Sequence, residues 1–412
     1  MRQGAGSMDR TTFRLVFLVS CAHAMAHVFE LSLPSIEPDL AREYFPSDQA
    51  AGKVFTGWLS FCWRLPWGAG ALLVGLLVDR YGSSRMLVIY LLGCGATCLL
   101  MSLHLELPML FVVMFLMGSF ASIYHPVGLA LISRETTPEN RPAALGWHGI
   151  LGSIGITAAP LMAAIVFGTT GIGWRDYYVV LCVPATIIAL LIAVTLPNGK
   201  GRQKVTLSPN ATVSAPEPET ARWNSFYLLV AVGALSGFVY AAFVHFLMRY
   251  LGDSQVLSSS QFRPAGMSAE GFRNLMAAVV LGFAIAGQAV AGKIARAGRL
   301  EPFLAFIMFA NVPCLVWMAF ADGPWRLVAA CSAAFVHFMN QPVYNSLIAQ
   351  YVPSARRSVG YGFSNMMCFG IGALGPTCAG FMQDDFYTYG GMAVVIAIAG
   401  CLALGLNRQR PD

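Results

Sequence analysis

The chain has 412 residues, of which 57% are hydrophobic and 11% charged, and its mean hydropathy is +0.63. Soluble domains carry about 25% charged residues, so this composition excludes an ordinary globular enzyme and a disordered chain and predicts an all-α membrane protein. The formal net charge is +6, but the Lys and Arg residues are spread over short loops, which is typical of membrane topology and not of nucleic-acid binding. The ten Cys lie in apolar segments without paired spacing, which argues against a disulfide framework or a zinc site.

Twelve apolar runs, each long enough to cross a bilayer as a helix, follow one another along the chain. They cover residues 12–34, 53–78, 85–105, 108–133, 143–168, 177–196, 223–250, 272–295, 301–321, 325–349, 357–382 and 388–407. The longest polar stretch, residues 197–222, lies between the sixth and seventh runs and has the composition of a linker. We therefore predict an N-terminal six-helix bundle over residues 1–196 and a C-terminal six-helix bundle over residues 223–412.

The basic residues predict the orientation of these helices. Eighteen Lys and Arg residues lie in loops on the side of the N-terminus, and seven lie on the opposite side. By the positive-inside rule, both termini and the linker face the cytoplasm of a bacterial inner membrane.

An internal repeat occurs at a constant shift of 216 residues. It aligns two pairs of prolines, a loop arginine and a glycine without a gap: Pro126 with Pro342, Pro160 with Pro376, Arg141 with Arg357 and Gly146 with Gly362. Because both copies have the same orientation, each holds an even number of helices, which predicts two parallel six-helix repeats. This is the architecture of a rocking transporter whose substrate binds between the halves near the membrane midplane.

A short polar turn after the second run carries one acid and two bases. In chain order, the residues of this turn are Gly75, Asp79, Arg80, Gly82 and Arg85. This spacing resembles the signature loop of the major facilitator superfamily, and the resemblance implies that these residues latch the cytoplasmic gate. Asp79 can accept hydrogen bonds from a facing helix N-terminus. The equivalent loop of the second half keeps Arg296 and Gly298 but has Ala295 in place of the acid, so we expect its latch to be weaker or lost.

Two further stretches narrow the resemblance. The sequence Ser-Ile-Tyr-His-Pro at 122–126 and the sequence Gly-Ser-Ile-Gly at 152–155 are similar to the fosmidomycin-resistance branch of drug exporters. That branch has an acid after its His-Pro pair, whereas this chain has Val127. The resemblance implies export of a small drug or metabolite.

Polar residues inside the predicted spans mark a candidate pathway, because an ionisable group is costly in hydrocarbon. Ser20, His23, His27 and Glu30 form one stripe on the first helix, and Arg64 on the second is a cation that would bind an anionic group. We predict that Glu30, His27 and His125 handle a coupling proton. The candidate substrate-binding residues are His23, Arg64, Tyr124, His148, Tyr240, His245, His337, Asn340, Gln341 and Tyr344.

These residues support more than one function. The first hypothesis is proton-coupled export of a small drug or metabolite, with Glu30 as the switch. The alternative is transport of a divalent metal such as ferrous iron, because His23, His27 and Glu30 have ligand chemistry at helical spacing; a non-transporting receptor or scaffold is a third. The sequence has no Walker loop, catalytic triad or haem motif, so we expect no enzymatic activity and no cofactor. We also expect the protein to be a monomer.

Overall fold

The fold is taken from a computed structural model, which describes residues 8–137, 139–169, 172–196, 221–253, 261–296, 298–353 and 356–408. This part of the chain is helical and contains no strand. Nine helices are continuous: α1 (Arg10–Tyr44), α2 (Gln49–Tyr81), α3 (Ser83–Met101), α5 (Arg141–Thr169), α6 (Trp174–Thr195), α7 (Trp223–Gly252), α8 (Ala269–Ile294), α9 (Leu300–Phe320) and α12 (Asp385–Arg408). Three consist of two segments: α4 (Leu107–Ala121 and Tyr124–Glu135), α10 (Trp325–Phe338 and Asn340–Tyr351) and α11 (Arg357–Gly372 and Leu374–Phe381). The predicted twelve helices in two six-helix repeats are confirmed.

Within the described residues, nine helices are long and apolar enough to span a membrane by composition alone: α1, α3, α4, α5, α6, α7, α8, α9 and α12. The remaining three are α2, which has 33 residues, and the segmented α10 and α11. The predicted linker falls largely on residues 197–220, which lie outside the described residues.

The first helix is longer than its apolar run. The run predicts residues 12–34, but α1 extends over 35 residues from Arg10 to Tyr44 and includes Pro34 and Pro38. Both prolines are buried by neighbouring helices, and membrane helices commonly tolerate prolines where other helices pack around them. Consequently Glu37 also lies inside a helix and is fully buried. The apolar run ends before Glu37, so the sequence predicts only Glu30 as a carboxylate inside this span, and this prediction is wrong.

The breaks in α4 and α10 follow the internal repeat. α4 breaks at residues 122–123 and α10 at residue 339, in both cases three residues before a proline of the repeat, Pro126 or Pro342. Proline cannot donate a hydrogen bond to the preceding turn, so the helix ends and restarts there. The third pair behaves differently: Pro376 lies just after the break in α11, whereas Pro160 lies inside the continuous α5.

Ion pairs join the two halves where α1 ends and α2 begins, which we call the closed end. There Arg249 of α7 donates to Glu37 over 2.7 Å and Arg273 of α8 donates to Asp39 over 2.6 Å. Lys53 Nζ donates to the backbone oxygen of Met382 over 2.6 Å. At the opposite end, the second segments of α4 and α10 pack against helices of their own halves.

Three of the bases that the topology count placed in loops are instead buried or paired inside the protein, within helices. Lys53 and Arg273 are 8% and 5% exposed, and Arg249 is bonded to the buried Glu37. Their assignment to loops is wrong, because buried acids on α1, out of reach of any local sequence pattern, pair with two of them. Removing them from the count makes the asymmetry of loop charge larger, and the orientation stays a prediction.

Candidate functional site

Glu30 lies at the centre of the molecule and is 2% exposed. Its Oε1 accepts hydrogen bonds from Arg64 Nη1 of α2 at 3.0 Å and from Tyr240 Oη of α7 at 2.8 Å. Its Oε2 lies 2.9 Å from His27 Nδ1. A buried carboxylate is tolerated only when paired in this way, so the partner that Arg64 requires is supplied by the chain itself. Tyr240 brings the second half of the molecule to the same carboxylate.

Three histidines meet beside Glu30. One ring nitrogen from each of His23, His27 and His125 lies within 4.8 Å of the other two. The ring centroid of His23 lies 5.0 Å from that of His27 and 5.4 Å from that of His125. The sequence hypothesis combined two of these histidines with Glu30, whereas the described residues bring His125 into the group and leave the Glu30 carboxylate bonded to Arg64, Tyr240 and His27.

Backbone and hydroxyl groups orient this histidine group. His23 Nδ1 lies 2.9 Å from the backbone oxygen of His148, and the two rings stack 4.0 Å apart. His148 Nε2 lies 3.0 Å from Tyr124 Oη, which donates to the backbone oxygen of Val19 at 2.8 Å. Gly152 of α5 faces the His23 ring so closely that any side chain there would displace it. Tyr124 and His148 therefore hold His23 in place.

The C-terminal half contributes neutral hydrogen-bonding groups. Tyr344 Oη lies 2.7 Å from Ser364 Oγ, and Asn340 Nδ2 donates to Ser236 Oγ at 3.0 Å. Gln341 accepts from Gln288 at 2.7 Å.

Two predicted histidines of this half lie outside the histidine group. The His337 ring stacks 6.4 Å from Tyr240. His245 is fully buried against Phe246, and neither of its ring nitrogens meets hydrogen-bond geometry with any described residue.

Sequence reasoning missed Trp67, which completes an aromatic group on α2 with Trp63. Trp67 lies 4.9 Å from Trp63, 5.7 Å from His125 and 4.5 Å from Phe369 of α11, measured between ring centroids. The two tryptophans are each 3% exposed and flank Arg64 in sequence. Their spacing of four residues around a buried cation is the signal that could have identified them.

The predicted gating loop is a tight turn between α2 and α3. Gly82 has a φ of 84° and its N–H donates to the backbone oxygen of Val78 at 2.8 Å. Gly298, its equivalent at the 216-residue shift, has a φ of 86°. Both turns thus require a residue that tolerates the left-handed region.

The charged residues of this turn flank it. Arg80 lies in the last turn of α2 and Arg85 in the first turn of α3, and both are exposed. Gly75 lies in α2; the side chain of Asp79 is not among those that the structure describes.

Comparison with known proteins identifies the family. The model of the Major Facilitator Superfamily matches residues 15–376. The 3-(3-hydroxy-phenyl)propionate transporter of Escherichia coli is 25% identical over 347 residues, which are 81% of this chain and 79% of that protein. A probable actinorhodin transporter of Streptomyces coelicolor is 29% identical over 35% of this chain, and the puromycin resistance protein pur8 of Streptomyces alboniger is 29% identical over 42%. The chain spans 25% and 32% of the length of these two relatives.

Solved structures agree on the fold. A bacterial homologue of the human lysosomal transporter Spinster superposes with a TM-score of 0.72 at 14% identity, over 98% of both chains. A peptide transporter in complex with sulfate superposes with a TM-score of 0.73 at 13% identity, over 97% of this chain and 94% of that one. These findings agree with the resemblance to drug exporters, and the chain belongs to the Major Facilitator Superfamily of transporters.

Proposed function

We propose that this transporter exports a small drug or metabolite in exchange for protons, by alternating access. In this proposal, residues 1–196 and 223–412 are the two moving bundles and residues 197–222 are a cytoplasmic linker. The protein acts as a monomer in the bacterial inner membrane with both termini in the cytoplasm. The observation that carries the proposal is the set of bonds at Glu30, which joins α1 to α2 and to α7 of the other half.

The chemistry of that set explains how a proton could drive the cycle. While Glu30 is ionised, it holds Arg64 and accepts from Tyr240. A proton on Glu30 removes the charge, frees Arg64 and weakens the bond to Tyr240, so the link between the halves loosens. His27, bonded to the same carboxylate, is placed to pass the proton. His125 lies next to His27 in the histidine group, and this neighbourhood supports a relay of protons from one histidine to the other.

The substrate is an organic molecule in this proposal. The relatives are named for actinorhodin, puromycin and 3-(3-hydroxy-phenyl)propionate, and the last of these names describes a molecule with a phenolic ring. Residues of both halves would bind the substrate: His23, Tyr124 and His148 from the first, and Tyr240, His337, Asn340, Gln341 and Tyr344 from the second.

Flux into liposomes under an imposed pH gradient tests the coupling, with puromycin and 3-(3-hydroxy-phenyl)propionate as trial substrates. Glu30→Gln should abolish gradient-driven flux and keep substrate exchange, because the amide mimics the protonated acid. Glu37→Gln is the matched control, since Glu37 is equally buried on α1 but pairs with Arg249 at the closed end. It should keep the response to pH. Gradient-driven flux of wild-type size in Glu30→Gln would contradict the proposal.

The orientation has a separate test. The test uses a reporter that is active only in the cytoplasm, fused at Asn210 in the linker. We expect it to be active, because most of the loop bases lie on the side of the linker. A periplasmic signal would overturn the proposed topology.

A second candidate cargo is a divalent transition-metal cation, and the three-nitrogen group of His23, His27 and His125 favours it. Imidazole nitrogens suit Zn²⁺, Fe²⁺ and Ni²⁺. His23 Nδ1 lies against the backbone oxygen of His148, and His27 Nδ1 lies against the carboxylate of Glu30. Their Nε2 atoms are therefore available for a metal, and metal-bound histidines usually have such an oxygen partner on the other ring nitrogen. His125 Nε2 is buried without a partner among the described residues.

Metal binding to purified protein separates the two cargoes. If a metal is carried, Zn²⁺ or Fe²⁺ should bind at one equivalent, His125→Gln should weaken binding, and His337→Gln, a buried histidine outside the group, should leave it unchanged. A wild-type protein that binds neither ion removes this candidate and leaves the organic cargo.

A further inference from the structure

Three nitrogen donors on α2 are buried without an acceptor among the described residues. They are Trp63 Nε1, Arg64 Nη2 and Trp67 Nε1. A buried polar group that lacks a partner costs about 1–3 kcal/mol, and native proteins keep few of them. Three within five residues of one helix therefore indicate a ligand that supplies the missing acceptors.

These donors lie where a transporter of this architecture binds its substrate, between the halves near the middle of the helices. Residues 63–67 lie at the middle of α2, which runs from Gln49 to Tyr81. Trp67 pairs with Phe369 of the opposite half at 4.5 Å. Next to this pair α2 and α11 approach closely, since a Cβ on Gly68 would lie 2.9 Å from the backbone nitrogen of Gly370. The donors thus lie at the boundary between the two halves, which separates during alternating access.

The charge of the group limits the ligand further. Arg64 uses Nη1 to pair with Glu30 at 3.0 Å, so its positive charge is compensated within the protein. The two indoles are uncharged and the guanidinium is already paired with Glu30, so these N–H groups favour a neutral acceptor over a second anion. The faces around them are the indoles of Trp63 and Trp67 and the ring of Phe369, which stack on flat aromatic molecules.

We propose that Trp63, Arg64 and Trp67 of α2, together with Phe369 of α11, form the substrate subsite, and that the substrate is an uncharged planar aromatic molecule bearing carbonyl or phenolic oxygens. The Trp67 and Phe369 rings are in contact, with centroids 4.5 Å apart, so the substrate ring enters between them when the two halves separate. Its oxygens accept from the indole and guanidinium N–H groups. This inference names the substrate class of the proposed exporter and rests on that function.

Equilibrium binding to the full-length protein in lipid nanodiscs tests the subsite, with empty nanodiscs subtracted. The probes share one bicyclic frame: 1-indanone has a carbonyl acceptor, indane has none, and 1-aminoindane carries an ammonium donor. We expect 1-indanone to bind at least about tenfold more tightly than the other two, as one or two buried hydrogen bonds predict.

Tryptophan-to-phenylalanine variants remove the N–H and keep a ring. Trp67→Phe and Trp63→Phe should each lower the affinity for 1-indanone by about three- to tenfold, which corresponds to one net hydrogen bond. They should leave the binding of indane unchanged. Trp58→Phe is the control, because Trp58 is on the same helix but 40% exposed. Size-exclusion chromatography and thermal unfolding establish that each variant is folded.

The outcomes separate this inference from the proposed function. If 1-indanone fails to bind, binds no better than indane, or keeps its affinity in both variants, the subsite is wrong even where pH-driven flux is intact. Tight binding of 1-aminoindane in its place would indicate a cationic substrate and also overturn it. If 1-indanone binds as expected but no substrate moves with a pH gradient, the subsite stands and proton coupling fails.

Discussion

The two halves of the molecule share a backbone plan but differ in what they bring to the centre. The N-terminal half supplies a buried ion pair, Glu30 with Arg64, and three converging histidines. The C-terminal half supplies hydroxyls and amides, such as Tyr344 bonded to Ser364. The repeat has therefore kept the breaks of α4 and α10 and the turn glycines in both copies, whereas the ionisable groups around Glu30 belong to one. This difference suggests that coupling resides in the first half and that substrate shape is read partly by the second.

The most severe test of this contrast is to remove the arginine that pairs with the buried acid of the first half. Arg64→Leu should lower the free energy of unfolding by about 3–5 kcal/mol, because it strands Glu30 in a buried site. The double variant with Glu30→Gln should recover much of this loss. Thermal unfolding in detergent measures both, and a single variant as stable as the wild type would show that the pair is not the organising feature of this half.

A smaller effect is expected where the halves meet. Tyr240→Phe removes the hydrogen bond that the second half donates to Glu30 at 2.8 Å. A bond to a charged group contributes about 1.5–3 kcal/mol, so we expect a roughly tenfold or greater change in the balance of outward- and inward-facing states. Distances between spin labels on the two bundles report this balance. An unchanged distribution would mean that Glu30 acts within its own half.

The gating loops allow a direct comparison of the halves. Asp79→Asn should reduce transport by roughly tenfold, typical of a conformational coupling, and leave substrate affinity within a few-fold. Its equivalent in the second half is Ala295, which caps the end of α8. Ala295→Asp should change transport less, because that loop works without an acid. Loss of affinity in Asp79→Asn with no change in accessibility of the cavity would argue against a latch.

The mildest substitution probes the neutral half. Tyr344→Phe removes one hydrogen bond between uncharged groups, that to Ser364, so we expect a change in the apparent affinity for substrate of no more than about tenfold. Dependence on pH should stay as in the wild type, measured as flux across a series of pH gradients. An altered pH profile would mean that the second half takes part in coupling.

Much of the fold could be predicted from the sequence, because apolar length and charge position are local properties. The twelve helices follow from them, whereas the superfamily is indicated by the resemblance of the turn at residues 75–85 to its signature loop. The full extent of α1 could not, since two prolines inside an otherwise helical stretch read as an end. Whether these prolines end the helix depends on the other helices that pack around this stretch, and a local sequence pattern does not reveal them.

The site was only partly predictable for a related reason. The stripe of His23, His27 and Glu30 is local, so it is visible in the sequence. Pairs such as Glu37 with Arg249 and Asp39 with Arg273 join residues 212 and 234 positions apart, and no periodicity reveals them. The same holds for the contact of Trp67 with Phe369.

The length of α1 also has a consequence for biosynthesis. Its closed-end acids, Glu37 and Asp39, receive their arginines from α7 and α8, which the ribosome makes more than 200 residues later. At about 5–20 residues per second, α1 would wait on the order of ten to forty seconds with these acids unpaired. A helix with bare carboxylates is poorly held by lipid, so the nascent first half would depend on the insertion machinery until α7 and α8 arrive. A chain that stops at the linker would never acquire those partners and would be a natural target for membrane proteolysis.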